Sequence, residues 1–285
     1  MKFGAHSYLF TPRWDDSQLG ILDHAKDLDL DFFEIGIGDD VVFSHRKTRL
    51  AAEKLGLELV VSPGGLWPVH CDLSLDDKAS RQAGLAWHCK AIDRAARVGA
   101  TAYAGALYGH PGTVLKRRPP LGQYQRTAEE LHQLAEYGRK KDVAVVIEPM
   151  SHFRTHMVNT PEQVMRLVRL ADHPNLRVSL DTYHLITEIT DFHEAILTVR
   201  DALWGMHMCE NNRGVPGPGL VPWSSVFKGL REISFDGYIL FEAYNSSIGD
   251  FAFERAMFHN VCPDPAVFVQ DGMRFIRKGL RGQEA

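Results

Sequence analysis

Four side chains that can bind a metal ion follow short apolar runs in the second half of the chain. Glu148 follows AVVI, Asp181 follows RVSL and Glu242 follows YILF, while His207 lies within WGMHM. Two glutamates, an aspartate and a histidine form a mixed oxygen and nitrogen set, which suits manganese, cobalt or magnesium. A single carboxylate at such a position is more commonly a helix cap or part of a loop ion pair. The metal interpretation therefore depends on a fold that brings all four together.

Short apolar runs alternate with longer amphipathic segments along the whole chain, a pattern typical of βα units with a parallel sheet. Strands are predicted at 2–9, 31–37, 57–62, 101–106, 143–148, 176–181, 204–209 and 237–242. Helices are predicted near 16–28, 44–55, 77–98, 124–140, 161–171, 191–202, 223–233 and 250–260, with start signals at Thr160-Pro161 and Asp191. Eight such units in 285 residues predict an α/β fold, a single-domain (β/α)₈ TIM barrel with a C-terminal extension over about 261–285. The sequence has no glycine-rich GxGxxG turn at the start of a helix, which is the motif of an open dinucleotide-binding sheet.

In such a barrel the carboxyl ends of the strands converge on one face. Carboxylates crowded there are costly unless a cation or shared protons compensate their charge. The four strand-end residues therefore predict a divalent metal site formed by Glu148, Asp181, His207 and Glu242.

Composition limits the classes of partner. The formal net charge is −4 and the basic residues are scattered, which argues against nucleic acid, including a barrel endonuclease for abasic DNA, and against an anionic membrane surface. The four cysteines form no CxxC pair and are expected to be reduced. The chain shows neither a leader peptide nor an apolar run long enough for a membrane span, so we expect a cytoplasmic location. The scattered charges favour a small, uncharged ligand.

Other polar and aromatic residues fall on the same predicted face. His184, three residues after Asp181, and Arg213, six after His207, either bind substrate oxygens or stabilise their loops. Glu34 and His6 either support the site or are satisfied core groups, the latter being favoured for His6. The aromatic residues expected either to wall a sugar site or to pack beneath loops are Trp14, Trp67, Tyr8, Phe153 and Tyr244.

Several motifs in a fixed order resemble one known group of barrel enzymes. They are LSLDDKASRQAGLAWHCKAIDRAARVGA, YAGALYG, VVIEP, LDTYH, GMHMCENNRGVPGPG and FDGYILFEAY. Over nearly its whole length the chain resembles the xylose isomerase-like barrel superfamily and, within it, the ketose 3-epimerase family that includes D-tagatose and D-allulose 3-epimerases.

This resemblance implies a metal-dependent sugar epimerase that removes and returns a proton next to a carbonyl. It implies that Glu148, Asp181, His207 and Glu242 hold the metal, with manganese expected first and cobalt or magnesium as alternatives. Glu148 and Glu242 would be the two catalytic bases, one on each face of the sugar, and His184 and Arg213 would bind substrate. The resemblance also implies a homo-oligomer.

One departure from the family pattern leaves two alternatives open. The family carries a second glutamate six residues after the first, in a motif similar to ExxNRFE, whereas this chain reads EPMSHFR and has Arg154 there. This exchange replaces an acid with a fixed cation at the substrate pocket, so Arg154 is expected to contact substrate. The first alternative is β-elimination on 3-oxo-glycosides, as in the larger subunit of a C-glycoside deglycosidase with a small partner subunit. The second is a non-catalytic sugar-binding barrel.

Overall fold

Eight parallel strands close into a barrel in the computed structural model, which describes residues 1–282. Each strand pairs with its neighbours in sequence, and the first strand pairs with the last. The strands are β1 (Lys2–His6), β2 (Phe32–Ile37), β3 (Glu58–Pro63), β4 (Ala100–Gly105), β5 (Ala144–Ile147), β6 (Leu176–Asp181), β7 (Leu203–His207) and β8 (Tyr238–Phe241). This order confirms the predicted single-domain (β/α)₈ barrel.

The helices that follow the strands form the outer layer. They are α1 (Gly20–Asp27), α2 (His45–Leu55), α3 (Lys78–Val98), α4 (Leu121–Arg139), α5 (Pro161–Ala171), α6 (Phe192–Val199), α7 (Trp223–Glu232) and α8 (Pro265–Leu280). Shorter helical turns lie at Ser7–Leu9, Asp16–Gln18, Thr182–Leu185, Ser246–Ile248 and Phe251–Glu254. The predicted start signals are confirmed, because Thr160 forms a capping box at α5 and Asp191 accepts backbone hydrogen bonds at α6.

The apolar residues form two layers. The inner layer fills the barrel and includes Phe32, Val60, Val146 and Leu240. Phe32 is the register partner of Gly4 on the neighbouring strand β1, and a Cβ atom added to Gly4 would come within 2.5 Å of the Phe32 ring. The larger layer lies between the strands and the helices. The tightly filled interior leaves the carboxyl ends of the strands as the open face of the barrel.

The eighth helix differs from the prediction. Within 250–260 only Phe251–Glu254 is helical, and Phe253 and Phe258 are exposed. The barrel's eighth helix is α8, which takes up most of the predicted C-terminal extension, begins after an Asp264 cap and buries apolar residues at helical spacing. Its Arg277 pairs with Asp29, which follows α1, so this helix closes the outer ring.

Two further observations concern the whole described chain. Within residues 1–282, no helix combines the length and the apolar character that a membrane span requires. All four cysteines are free, and three of them, Cys71, Cys209 and Cys262, are buried.

Candidate metal centre and active site

The four predicted metal-binding residues lie at the carboxyl ends of four consecutive strands. Asp181 and His207 are the last residues of β6 and β7 and are register partners. Glu148 directly follows β5, and Glu242 directly follows β8. All four side chains are buried. The barrel therefore brings this set together at one point, as the sequence predicted.

The functional atoms of these residues face a common centre. His207 Nδ1 lies 2.9 Å from Glu148 Oε2, 3.2 Å from Glu242 Oε2 and 3.8 Å from Asp181 Oδ2. Nevertheless both ring nitrogens of His207, together with Glu148 Oε2 and Asp181 Oδ2, are buried without a hydrogen bond of normal geometry. Ligand atoms of Asp181, His207 and Glu242 lie within 4.8 Å of one another, and so do those of Glu148, Asp181 and His184. Buried polar atoms are rarely left unpaired, so this arrangement makes a candidate site for a shared cation.

The electrostatics of the cluster also favour a cation. Burial raises the pKa of Glu148. Burial alone would lower the pKa of His207, but Glu148 and the other carboxylates raise it well above its usual value. A proton on His207 and a divalent metal ion would both relieve the same negative charge. The donor set therefore fits a divalent cation.

Arg213 provides the only nearby fixed positive charge in contact with the cluster among the described residues. Its Nη1 lies 2.7 Å from Asp181 Oδ2 and 3.3 Å from Glu242 Oε2, and its guanidinium stacks 4.3 Å from the centre of the Tyr183 ring. Burial opposes ionisation of Asp181, yet Arg213 and His184 lower its pKa to about 2. One arginine offsets one of the three carboxylates, which leaves a net negative charge for a metal to neutralise.

The loop that carries Arg213 is strained and anchored. Arg213 has a φ of 65°, in the left-handed region that side chains other than glycine rarely adopt. The buried carboxylate of Glu210 accepts hydrogen bonds from the backbone of Gly217 and Val221 and from the indole of Trp223. Local strain of this kind persists only where the surroundings hold it, and Glu210 does so. The sequence analysis did not single out Glu210, because its role depends on loop contacts made 7 to 13 residues later.

His184 belongs to the short helix after β6, and its side chain lies beside that of Arg213. Its Nε2 is 3.3 Å from Arg213 Nη2 and 3.9 Å from Asp181 Oδ2. Burial lowers the pKa of His184 to about 4, so the imidazole is neutral near pH 7. A neutral imidazole can donate or accept a hydrogen bond. His184 faces the same cavity as Glu148, His207 and Glu242, which with Asp181 form the candidate metal-binding set.

A second buried polar group lies on the opposite wall of the barrel. His6 Nδ1 accepts a hydrogen bond from the backbone of Tyr8, and His6 Nε2 lies 3.1 Å from Ser62 Oγ and 3.6 Å from Glu34 Oε1. Burial raises the pKa of Glu34 to about 7 and lowers that of His6 to about 4. His6 is thus a satisfied buried group, while Glu34 is a buried acid that also lines the cavity.

The cavity over these residues has a volume of about 380 Å³. Four of the five aromatic residues predicted as its wall line it, namely Tyr8, Trp67, Phe153 and Tyr244. Trp14 follows the packing alternative instead. Its ring packs in the core against Phe33, and its indole nitrogen donates to Thr48. A volume of this size and a mixed polar and aromatic lining are typical of small-molecule sites.

Arg154 lies at the outer part of this cavity, together with Arg255, which the sequence analysis did not single out. Arg154 belongs to the loop after β5, and Arg255 follows the short helix Phe251–Glu254 after β8. Nothing in the spacing around Arg255 distinguishes it from a surface residue, because an irregular loop brings it to the cavity.

Comparisons with known proteins agree with this architecture. A family model described as xylose isomerase-like TIM barrel matches residues 22–279. A ketose 3-epimerase of Arthrobacter globiformis is 28% identical over 249 residues, covering 87% of this chain and 85% of that protein. A D-psicose 3-epimerase of Agrobacterium fabrum is 25% identical over 246 residues, covering 86% and 85%. A solved structure of L-ribulose 3-epimerase matches with a TM-score of 0.90 and 25% identity, covering 99% of this chain and 95% of that one.

Proposed function

Because the chain belongs to the xylose isomerase-like TIM barrel family, we propose that it is a metal-dependent sugar epimerase that inverts the carbon next to a ketose carbonyl. The observation that carries this proposal is the convergence of Glu148, Asp181, His207 and Glu242, with buried atoms that lack hydrogen bonds. Relatives that are ketose 3-epimerases support the substrate class and the reaction.

The proposed site holds one divalent cation through these four side chains. Manganese is the metal we propose first, with cobalt or magnesium as alternatives, because oxygen ligands and one imidazole suit all three. When bound, such an ion polarises a carbonyl oxygen and stabilises negative charge that develops on it.

We propose that the two glutamates move protons on opposite faces of the sugar. They follow β5 and β8, which are three strands apart in a ring of eight, so they enter the site from directions about 135° apart around the barrel axis. In the proposed reaction one carboxylate removes the C3 proton, and the other returns a proton from the opposite side. Return from the opposite face inverts C3.

His184 and Arg213 are proposed to bind substrate oxygens, since both face the cavity beside the metal-binding set. Arg213 already contacts Asp181 and Glu242, so it can orient these carboxylates as well as a sugar hydroxyl. The neutral imidazole of His184 can donate to a hydroxyl without adding charge.

The test is hydrogen exchange at carbon. Metal-loaded protein incubated with D-fructose or D-tagatose in D₂O should place deuterium at C3 and produce the C3 epimer, as followed by NMR. Glu148→Gln and Glu242→Gln should each reduce this exchange by about 10²-fold to 10⁴-fold, the range for loss of a general base. Glu188→Gln, which removes a carboxylate paired with His152, serves as the matched control and should retain activity.

The same assay, run also with a 3-oxo-glycoside, separates the alternatives. Release of an aglycone from a 3-oxo-glycoside, without epimerisation of free ketoses, would replace the proposal with β-elimination. Ketose binding without any deuterium incorporation would indicate a non-catalytic barrel. The epimerase relatives favour C3 exchange.

The assembly and location of the protein stay predictions. We propose a homo-oligomer, and a small partner subunit would be expected only with the β-elimination alternative. Light scattering on the purified chain tests whether it forms a homo-oligomer. The cytoplasmic location needs a cell fractionation measurement.

A further inference from the structure

The outer part of the cavity contains two positively charged side chains that the proposed reaction does not use. These rim arginines are Arg154 and Arg255, each half-buried, and both line the cavity that contains the metal-binding set. They come from the loops after β5 and β8, the same two strands that supply the proposed bases. A substrate held between those bases would therefore have its outer end near the rim arginines.

Neither rim arginine has an acidic partner. Among residues 1–282, neither guanidinium lies within ion-pair distance of a carboxylate, whereas Arg13 nearby pairs with Asp40 at 2.8 Å. Arg255 is instead held by aromatic contacts, with its guanidinium 5.4 Å from the Tyr8 ring centre and 5.1 Å from that of Phe251. Arginines in a cavity wall without a carboxylate partner are positioned for an anion that comes from outside the chain.

The charge balance of the cavity points the same way. The carboxylates of Glu148, Asp181 and Glu242 carry three negative charges, and Arg213 carries one positive charge. The divalent ion of the proposed function would neutralise the remaining two. Glu34, with a pKa raised to about 7 by burial, adds at most one negative charge. The two charges of the rim arginines therefore exceed what the cavity itself balances.

The acidic residues outside the cavity do not remove this excess. Asp250 and Glu254 line a neighbouring space that both rim arginines also line, but among residues 1–282 neither carboxylate lies within ion-pair distance of them, and Asp40 there is paired with Arg13. These carboxylates do not line the main cavity, which both rim arginines also line, so the main cavity is where an anion would meet the two arginines without these acids.

We propose that Arg154 and Arg255 form an anion subsite, and that the substrate is a ketose derivative with a phosphate or carboxylate group at the end remote from the reacting carbon. This inference rests on the proposed function for the position of the reacting carbon. It also explains the sequence departure: Arg154 stands where the family resemblance implies a glutamate, and a glutamate there would repel such a substrate.

Isothermal titration tests the subsite with D-fructose, D-fructose 6-phosphate and D-fructuronate, which carry no anion, a phosphate and a carboxylate respectively. Titrations on metal-loaded protein and on chelator-treated protein separate binding at the rim from binding to the metal. We expect at least one anionic ketose to bind tenfold or more tightly than D-fructose in both preparations. Preference for the phosphate or for the carboxylate identifies the anion.

Arg154→Gln and Arg255→Gln should each remove most of that preference, because each should weaken binding of the anionic ketose by a larger factor than binding of D-fructose. Arg13→Gln, which alters a neighbouring arginine that is already ion-paired, is the matched control and should change nothing. Arg255→Lys keeps the positive charge and is the conservative variant to use if Arg255→Gln does not fold. Circular dichroism checks the folding of each variant. Equal affinity for neutral and anionic ketoses, or an equal loss in Arg13→Gln, would overturn the subsite.

These titrations do not require turnover, so the two proposals can fail separately. Anionic ketoses that bind through the rim arginines without any C3 exchange would sink the proposed function and leave the subsite in place. C3 exchange on D-fructose without a preference for anionic ketoses would sink the anion subsite and leave the proposed function in place.

Discussion

The buried acid Glu34 allows the electrostatics of the active-site wall to be tested without any substrate. Its side chain is 1% exposed and lies 3.6 Å from His6, and burial raises its pKa to about 7 from an ordinary value of 4.5. Between these pH values the folded protein retains a proton that the unfolded chain has released. Glu34 therefore stabilises the fold fully only below about pH 4.5, and that contribution is lost as pH rises through 7.

The size of the effect follows from the two pKa values. At 1.36 kcal/mol for each unit of pKa difference, ionisation of Glu34 costs the folded state about 3 kcal/mol at alkaline pH. About 1 kcal/mol of this is already lost at pH 5, because the unfolded chain is largely ionised there. The glutamine of Glu34→Gln is neutral at every pH. The free energy of unfolding of this variant, relative to the natural protein, should therefore rise by between about 2 and 3 kcal/mol from pH 5 to pH 8.5.

Urea unfolding at the two pH values, followed by tryptophan fluorescence, measures this gain. The protein should be kept in a chelator, because a bound cation would also favour the ionised carboxylate. Glu53→Gln is the control, since that carboxylate is exposed and paired with Arg49 on the surface of α2. A difference between Glu34→Gln and the natural protein that stays within about 1 kcal/mol across this range would refute the assignment of Glu34 as a buried acid.

Three further predictions concern the metal, the loops and the packing. Removing with a chelator a divalent ion present at 100 times its Kd should lower the free energy of unfolding by about 2.7 kcal/mol and lower Tm by several degrees. Asp181→Asn should abolish this effect of the chelator in a thermal melt. Glu210→Ala leaves the donors of Gly217, Val221 and Trp223 unpaired, so urea unfolding should show a loss of at least about 3 kcal/mol, and the displaced Arg213 should raise KM more than it lowers kcat. Gly38→Ala should lose about 1 to 3 kcal/mol, because its Cβ would lie 2.0 Å from Gly64 O, whereas Gly20→Ala meets nothing within 4 Å and should retain full stability in the same assay.

The sequence predicted those features that depend on the regular repeat of the barrel. Glu148, Asp181 and Glu242 were identifiable because each follows an apolar run, and His207 because it lies in another such run. Closure of a parallel sheet is enough to bring the ends of these runs together. The sequence left Trp14 open between two alternatives and misplaced the eighth helix, for a different reason. An aromatic residue in a loop gives no sign of whether it faces the cavity or the core, and the long connection after β8 contains apolar residues that are exposed, such as Phe258.

The irregular loops were therefore the part that sequence reasoning could not resolve. Arg213 was singled out by its distance from His207, but its left-handed backbone and its anchor Glu210 depend on contacts within a folded loop. Arg255 was missed altogether, because it directly follows a helix of only four residues and no periodic pattern marks its side chain.

This division between strands and loops has a consequence for how such a site can change. The metal-binding set lies on or directly after strands that share register and a filled interior, so moving one member would disturb the barrel itself. Arg154 and Arg255 lie on loops, where a replacement alters charge at the cavity mouth while the barrel stays intact. A chain can thus keep the chemistry at the strand ends and still acquire a different substrate through its loops. On this argument the rim of the cavity, and not the metal-binding set, is where this chain should differ in specificity from relatives that are 25% to 28% identical to it.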